Sequence, residues 1–257
     1  MWFAGPERFA ADELAAMVAA ATGGELHVAL APPARWRDLT ERSAAGRRAA
    51  ARIARYRDPG DGEPTFAEVA ELLSTPPEAR YGWVSDLRTG VQLGVLVAAN
   101  PWFGVLGIRD EDEVFLRSFG PQRLSPLLAD VLPDGVRAAP GEPVTVRRDE
   151  LRPGRVPVGD GVARARRILR LPARVRAEFH VERRDPAGRR CHSVHPVRVS
   201  DTAEGRWLLL VGTVYADEHL HLAPRAPTRS PTHSMTCGDS SKTADWQAER
   251  ARTSVHY

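Results

Sequence analysis

Lysine is almost missing from this chain of 257 residues: Lys242 is the only one, and the basic side of the balance is otherwise arginine. No glycine-rich phosphate loop with its lysine is present, which removes the commonest nucleotide-binding signature. Cysteine is scarce as well. Cys191 and Cys237 lie in segments of very different character, so no disulfide framework is indicated and a reducing compartment is expected. Long apolar runs are absent. VQLGVLVAA, at 91–99, has strand length, well short of the ~20 residues that cross a bilayer. The opening MWFAGPERF lacks the basic start and apolar stretch of a secretory signal. With 42% hydrophobic and 27% charged residues and a formal charge of +3, the composition is that of a soluble globular protein, expected in the cytoplasm without membrane insertion. The bias toward Arg, Ala, Gly and Pro is explained most simply by GC-rich codons.

Catalytic signatures are missing too. There is no G-x-S-x-G elbow, no H-E-x-x-H and no pair of spaced zinc cysteines. Ser, His and Asp occur without a spacing that singles out a triad, which in any case is defined by geometry rather than order. The expectation is a protein that is not an enzyme, with no cofactor and no metal.

What is present is a change of period along the chain. Phe9, Leu14, Met17 and Val18 recur at near-helical spacing and Gly23-Gly24 ends that run. A basic helical pattern begins near Thr40, taken as its cap. Thr65 with Glu68 forms a capping box ahead of Phe66, Val69, Leu72 and Leu73, and Pro76-Pro77 stops the helix. From Tyr81 the pattern becomes strand-like, with four short runs at 81–88, 91–100, 102–109 and 113–119 separated by turn residues, which predicts an antiparallel meander. Another helix follows with Ser125 as cap and Pro126 at its first position.

The second part repeats the order. A short amphipathic helix from Gly161 places Ile168 and Leu169 on its apolar side, and strands follow at 177–184, 190–200, 206–215 and 218–223. The fold class is therefore α+β: a central antiparallel β-sheet with flanking helical bundles, in two quasi-symmetric lobes. The expected domain covers 1–226, with lobes of about 1–135 and 136–226. From about Pro227 the sequence turns to Ser, Thr and Pro without an apolar period, which predicts a disordered or divergent tail over 227–257.

Two histidine groups are candidate metal ligands. In a continuous strand Cys191 and His195 share a face but lie about 13 Å apart, with His192 on the other face. A single zinc ion needs its ligand atoms ~2.0–2.3 Å away, so these three cannot share one without breaking the strand. His219 and His221 do share a face, but no third ligand is predictable and a solvated strand edge is the plainer reading. Nucleic-acid binding has some support, since arginines outnumber acids between 147 and 190 and the helix pairs Arg164 with Arg167 and Arg166 with Arg170. A basic nucleic-acid-associated or regulatory binding module is thus the alternative, set against a small net charge and strands in which arginines alternate with acids.

The turns carry more information than the histidines. Asp185-Pro186-Ala187-Gly188 begins with Asp-Pro and ends with a glycine suited to a tight turn, and DTAEG at 201–205 supplies a second. The order RILRLP, EFHVERRDPAGRR, HPVRVSDTAEGRWLLLV, LAP resembles the C-terminal half of the EspG family, proteins associated with ESX (type VII) secretion in actinobacteria. FAADELAAM, Glu41-Arg42 and LLADVLPDGVRAAPGEPVTVRRDEL also look like its pattern, so the resemblance covers roughly 8–225. It implies a cytosolic chaperone that binds a PE–PPE heterodimer, or a similar helical secreted protein, and covers an aggregation-prone apolar tip. Candidate partner contacts are outward residues of the second sheet region, Phe179, Val181, Leu208 and Leu210, each of which core packing would equally explain. Arg184, Asp185, Gly188, Asp201, Gly205 and Arg206 are assigned to structural turns. Relatives usually continue past the last strand into a C-terminal helix, where this chain has its polar tail.

Overall fold

The computed structural model describes residues 7–33, 38–56, 63–156, 159–214 and 217–225. The chain divides into two units, Met1–Pro227 and Thr228–Tyr257. The described residues all belong to the first, and the tail expected over 227–257 lies outside them.

Local signals set most of the helices. In α1 (Ala11–Thr22) the buried Leu14, Met17 and Val18 fall on one face, and Gly23, at φ 70°, closes the helix by donating to the Ala19 carbonyl. The Asp38 carboxylate accepts from the Glu41 N–H at the start of α2 (Leu39–Ile53), while the Glu41 carboxylate accepts from the Asp38 N–H. The cap is therefore Asp38 and not Thr40, because only Asp38 stands three residues before a glutamate able to return the bond. α3 (Phe66–Ser74) carries the expected Thr65 and Glu68 box. A 3-10 turn at Pro121–Arg123 runs directly into α4 (Leu124–Asp130), so Ser125 sits inside the helix rather than at its cap. In α5 (Asp160–Arg170) the buried side is Val162, Ala165 and Ile168. Leu169, expected beside Ile168, is 42% exposed because one residue along the helix turns it away from the sheet.

The strands are β1 (Glu7–Ala10), β2 (Glu78–Asp86), β3 (Gln92–Ala99), β4 (Gly104–Asp110), β5 (Glu113–Phe119), β6 (Val144–Arg147), β7 (Ala173–Arg184), β8 (Arg190–His192), β9 (Val197–Thr202), β10 (Gly205–Val214) and β11 (Asp217–Pro224). The predicted meander is β2 to β5. Phe9 lies on β1 and not on the first helix. The strand expected over 190–200 is broken at 193–196, giving β8 and β9, and the short β1 and β6 carry no local signal of their own.

Among the described residues all eleven strands join one sheet in the order β1-β5-β4-β3-β2-β7-β9-β10-β11-β6, with β8 paired to β7. Each half follows one plan: an edge strand, then helix, then four strands laid from the centre outward until the last pairs with the edge strand. β2 and β7 meet antiparallel at the centre, from Glu78 opposite Arg183 to Asp86 opposite Val175.

Register shows how the two faces divide. Residues directly opposite in an antiparallel ladder point to the same side. One row therefore crosses ten strands on what we call the front: Phe9, Val114, Arg109, Gly94, Trp83, Glu178, Arg198, Leu209, Leu222 and Val144. It is apolar at both ends and mostly charged in the middle. α1 and α3 pack on the apolar end nearest β1, building a core that includes Phe9, Leu14, Leu73, Leu96 and Leu116. α5 packs over the other end, where Val162, Ala165 and Ile168 meet Trp207, Leu220 and Leu222. On the back, α4 lies against β2 and β3, and the back-face Val95, Val97, Leu106 and Ile108 are all buried.

Candidate partner-binding surface

Phe179, Val181, Leu208 and Leu210 share the back face. Phe179 stands opposite Gly82 and Val197, and Leu208 opposite Val199. Burial separates them. Phe179 is 6% exposed, part of the back core, whereas Val181, Leu208 and Leu210 are half-buried. Val197 and Ala223, on the same face, are half-buried too, and Val214 at the end of β10 is 51% exposed. The back therefore grades from a closed core under α4 to an apolar margin on β9 and β10. Among the described residues no helix covers that margin.

The turn residues do two jobs. In the β7–β8 hairpin the Asp185 carboxylate accepts from the backbone N–H of Ala187 and of Arg189 and pairs with the Arg189 guanidinium at 2.7 Å. Those Arg189 bonds, backbone first, hold the Asp185 carboxyl below its ordinary value. Arg184 donates to the Gly188 carbonyl at 3.0 Å, and Gly188 takes φ 76°, where a side chain would be strained.

The second group is a clasp. Asp201 and Arg206 face each other across β9 and β10 and form a two-pronged ion pair at 2.6 and 2.8 Å, both side chains under 5% exposed. Arg206 also donates to the Pro133 carbonyl at 2.9 Å. Its backbone accepts from Ala139 N–H and donates to the Arg137 carbonyl, so the link between the halves is stitched to β10. Gly205, at φ 131°, is what admits that link: a Cβ there would lie 2.7–2.8 Å from backbone atoms of Ala138 and Ala139.

A buried polar cluster escaped the sequence. Glu182, 1% exposed on β7, takes the Arg190 guanidinium at 2.6 Å and lies 3.4 Å from Nε2 of the buried His27. His27 Nδ1 accepts from Ala29 N–H, which leaves Nε2 to donate to Glu182 from a neutral ring. Burial pushes the His27 pKa down, against the pull of the Glu182 carboxylate. No spacing could have shown this, since the two residues are 155 apart. The only local hint is the place of Glu182 in a strand whose alternation turns it inward.

The histidines remain scattered. His195 lies in the break between β8 and β9 and pairs with Glu218 at 3.0 Å. Cys191 and His192 sit on exposed β8, while His221 shares a hydrogen bond with Thr145 at 2.8 Å and His219 donates to the Asp217 carbonyl. Among the described residues no group of three or more His, Cys, Asp or Glu is placed to hold a metal ion. None of the described helices is long and apolar enough to cross a membrane.

A family model described as the EspG family matches residues 10–229. No curated protein matches the sequence. Solved structures similar to the chain include that of the Mycobacterium tuberculosis type VII secretion system chaperone EspG5 in complex with a PE25–PPE41 dimer, at TM-score 0.58 and 17% identity, covering 87% of this chain and 92% of EspG5.

Proposed function

The chain belongs to the EspG family, and from that premise we propose that it is a cytoplasmic, non-enzymatic chaperone of a type VII secretion system that binds a helical pair of PE–PPE kind and holds it soluble for export. The observation that carries this is the family match over nearly the whole first unit, joined to a fold shared with a chaperone solved on such a client.

The physical logic agrees with it. A secreted helical bundle with an apolar tip needs a temporary partner, and a rigid sheet margin is a preformed surface that costs little ordering on binding. Val181, Leu208 and Leu210, half-buried on the back, are the residues we assign to that contact, with Phe179 beneath them as support. The turn residues position the margin rather than touch the client: Asp185 and Gly188 fix the β7–β8 hairpin, and Asp201, Gly205 and Arg206 fix β9 and β10.

The test is recovery of tagged protein from its native cytosol at moderate salt, with partners identified by mass spectrometry and stoichiometry by light scattering. An equimolar helical secreted protein is the expected result, reduced about tenfold or more by Leu208→Asp together with Leu210→Asp. Bare protein, or nucleic acid released by salt, would overturn the proposal.

A further inference from the structure

The front of the sheet holds a cleft of about 820 Å³ beside α5 that the client reading leaves unused. Leu209 and Val211 of β10 and Leu220 of β11 form its floor, and the exposed Leu169 of α5 its wall. The 3-10 turn at Arg148–Leu151, with Arg152 after it, forms the rim. Leu209 and Leu208 are adjacent on one strand, so the cleft and the client margin lie on opposite faces.

The rim is built and basic. Arg148 is held by Glu218 at 2.6 Å, and Glu218 by His195 at 3.0 Å, while Arg147 bridges Asp149 and Asp217 at 3.3 Å each. These pairs hold guanidiniums at the edge of an aliphatic floor, and the N–H donors that the pairs leave over serve further acceptors. Beyond the rim, residues 136–226 carry eighteen arginines against eleven carboxylates, whereas 1–135 carry fourteen against nineteen. The lining itself carries four arginines against three carboxylates, so the balance of charge at the cleft and around it favours a negatively charged approach.

We propose that this cleft binds a short acidic and apolar peptide segment of a second protein partner, its aliphatic side chains on Leu209 and Val211 and its carboxylates on Arg148 and Arg152. Nucleic acid fits less well, because the lining holds no Phe, Tyr or Trp on which successive bases could stack. A bilayer is excluded by shape, since the aliphatic floor lies below a charged rim. The proposal does not depend on the client reading, because it uses the other face.

The experiment is fluorescence anisotropy of the full chain with a short fluorescein-labelled peptide of alternating leucine and glutamate, run beside the same peptide with lysine for glutamate. The glutamate peptide should bind at least about tenfold more tightly, with the difference shrinking as salt rises. Arg152→Glu, at an exposed position, should weaken it about tenfold and Val211→Asp should remove it, while Leu208→Asp on the back leaves it unchanged. Equal binding of the two peptides, no binding of either, insensitivity to both cleft substitutions, or stronger competition by single-stranded DNA would each overturn the proposal. Client capture that survives Leu208→Asp with Leu210→Asp, with peptide binding intact, would instead strike the back-face reading alone.

Discussion

The two halves of the sheet share a strand plan and differ in what covers it. Beside β1 to β5 three helices follow the edge strand and α4 closes the back, and Leu14, Leu73, Leu96 and Val97 there are completely buried. Beside β6 to β11 one described helix, α5, follows the edge strand, and Val181, Leu208, Leu209, Leu210 and Val211 stay half-buried. Acids exceed arginines in the first half, and the reverse holds in the second. A repeated scaffold can thus be specialised by its cover: one half is closed by helices on both faces, and the other keeps apolar surface within reach of partners.

Breaking the clasp should show the largest effect. Arg206→Ala strands the buried Asp201 and frees the Pro133 link, and urea denaturation should show a loss of about 3–5 kcal/mol. Leu96→Ala, in the closed half, should cost about 2–5 kcal/mol by the same measurement. Acidification tests the buried contact of His27 with Glu182. His27 has its pKa lowered from 6.5 by burial, so above 6.5 both states are neutral and nothing is lost. Below that value the unfolded chain takes up a proton that the folded ring refuses until its own lower pKa, and stability falls through that window. Thermal melts between pH 7.5 and 5.5 should show the fall, and His27→Gln should flatten it. The smallest effect belongs to the half-buried margin of β10: Leu208→Ala should cost under about 1 kcal/mol while still weakening client capture. A cost equal to that of Leu96→Ala would erase the contrast between the halves.

How much of this the sequence disclosed depended on distance. The Thr65 and Glu68 box, the meander of β2 to β5 and the repeated order of the second half rest on neighbours, and they are visible as period and punctuation. The edge strands β1 and β6 are four residues each and exist because β5 and β11 offer them partners, Glu7 reaching across to Leu116. Asp201 and Arg206 were legible as a turn pair, but their hold on Pro133 was not, since nothing in DTAEGRW refers to a link some seventy residues earlier. Glu182 was hidden for the same reason: a charge in an arginine-rich strand looks solvated until His27 is found beside it. Among the surface candidates, alternation placed four residues on one face, and only the packing of α4 and the register of β2 divided buried Phe179 from the other three.

The central pairing of β2 with β7 sets a timetable for synthesis. The meander is finished at Phe119 and the inner partner of β2 is complete only at Arg184, so on the ribosome the finished meander waits on the order of 3–13 s with one flank unpaired. During that interval the backbone from Glu78 to Asp86 is an open edge of the kind that templates aggregation. A protein proposed to guard another's apolar tip thus has its own vulnerable infancy. The polar residues Arg80, Ser85 and Asp86 along that strand are the gatekeepers available to it before β7 arrives.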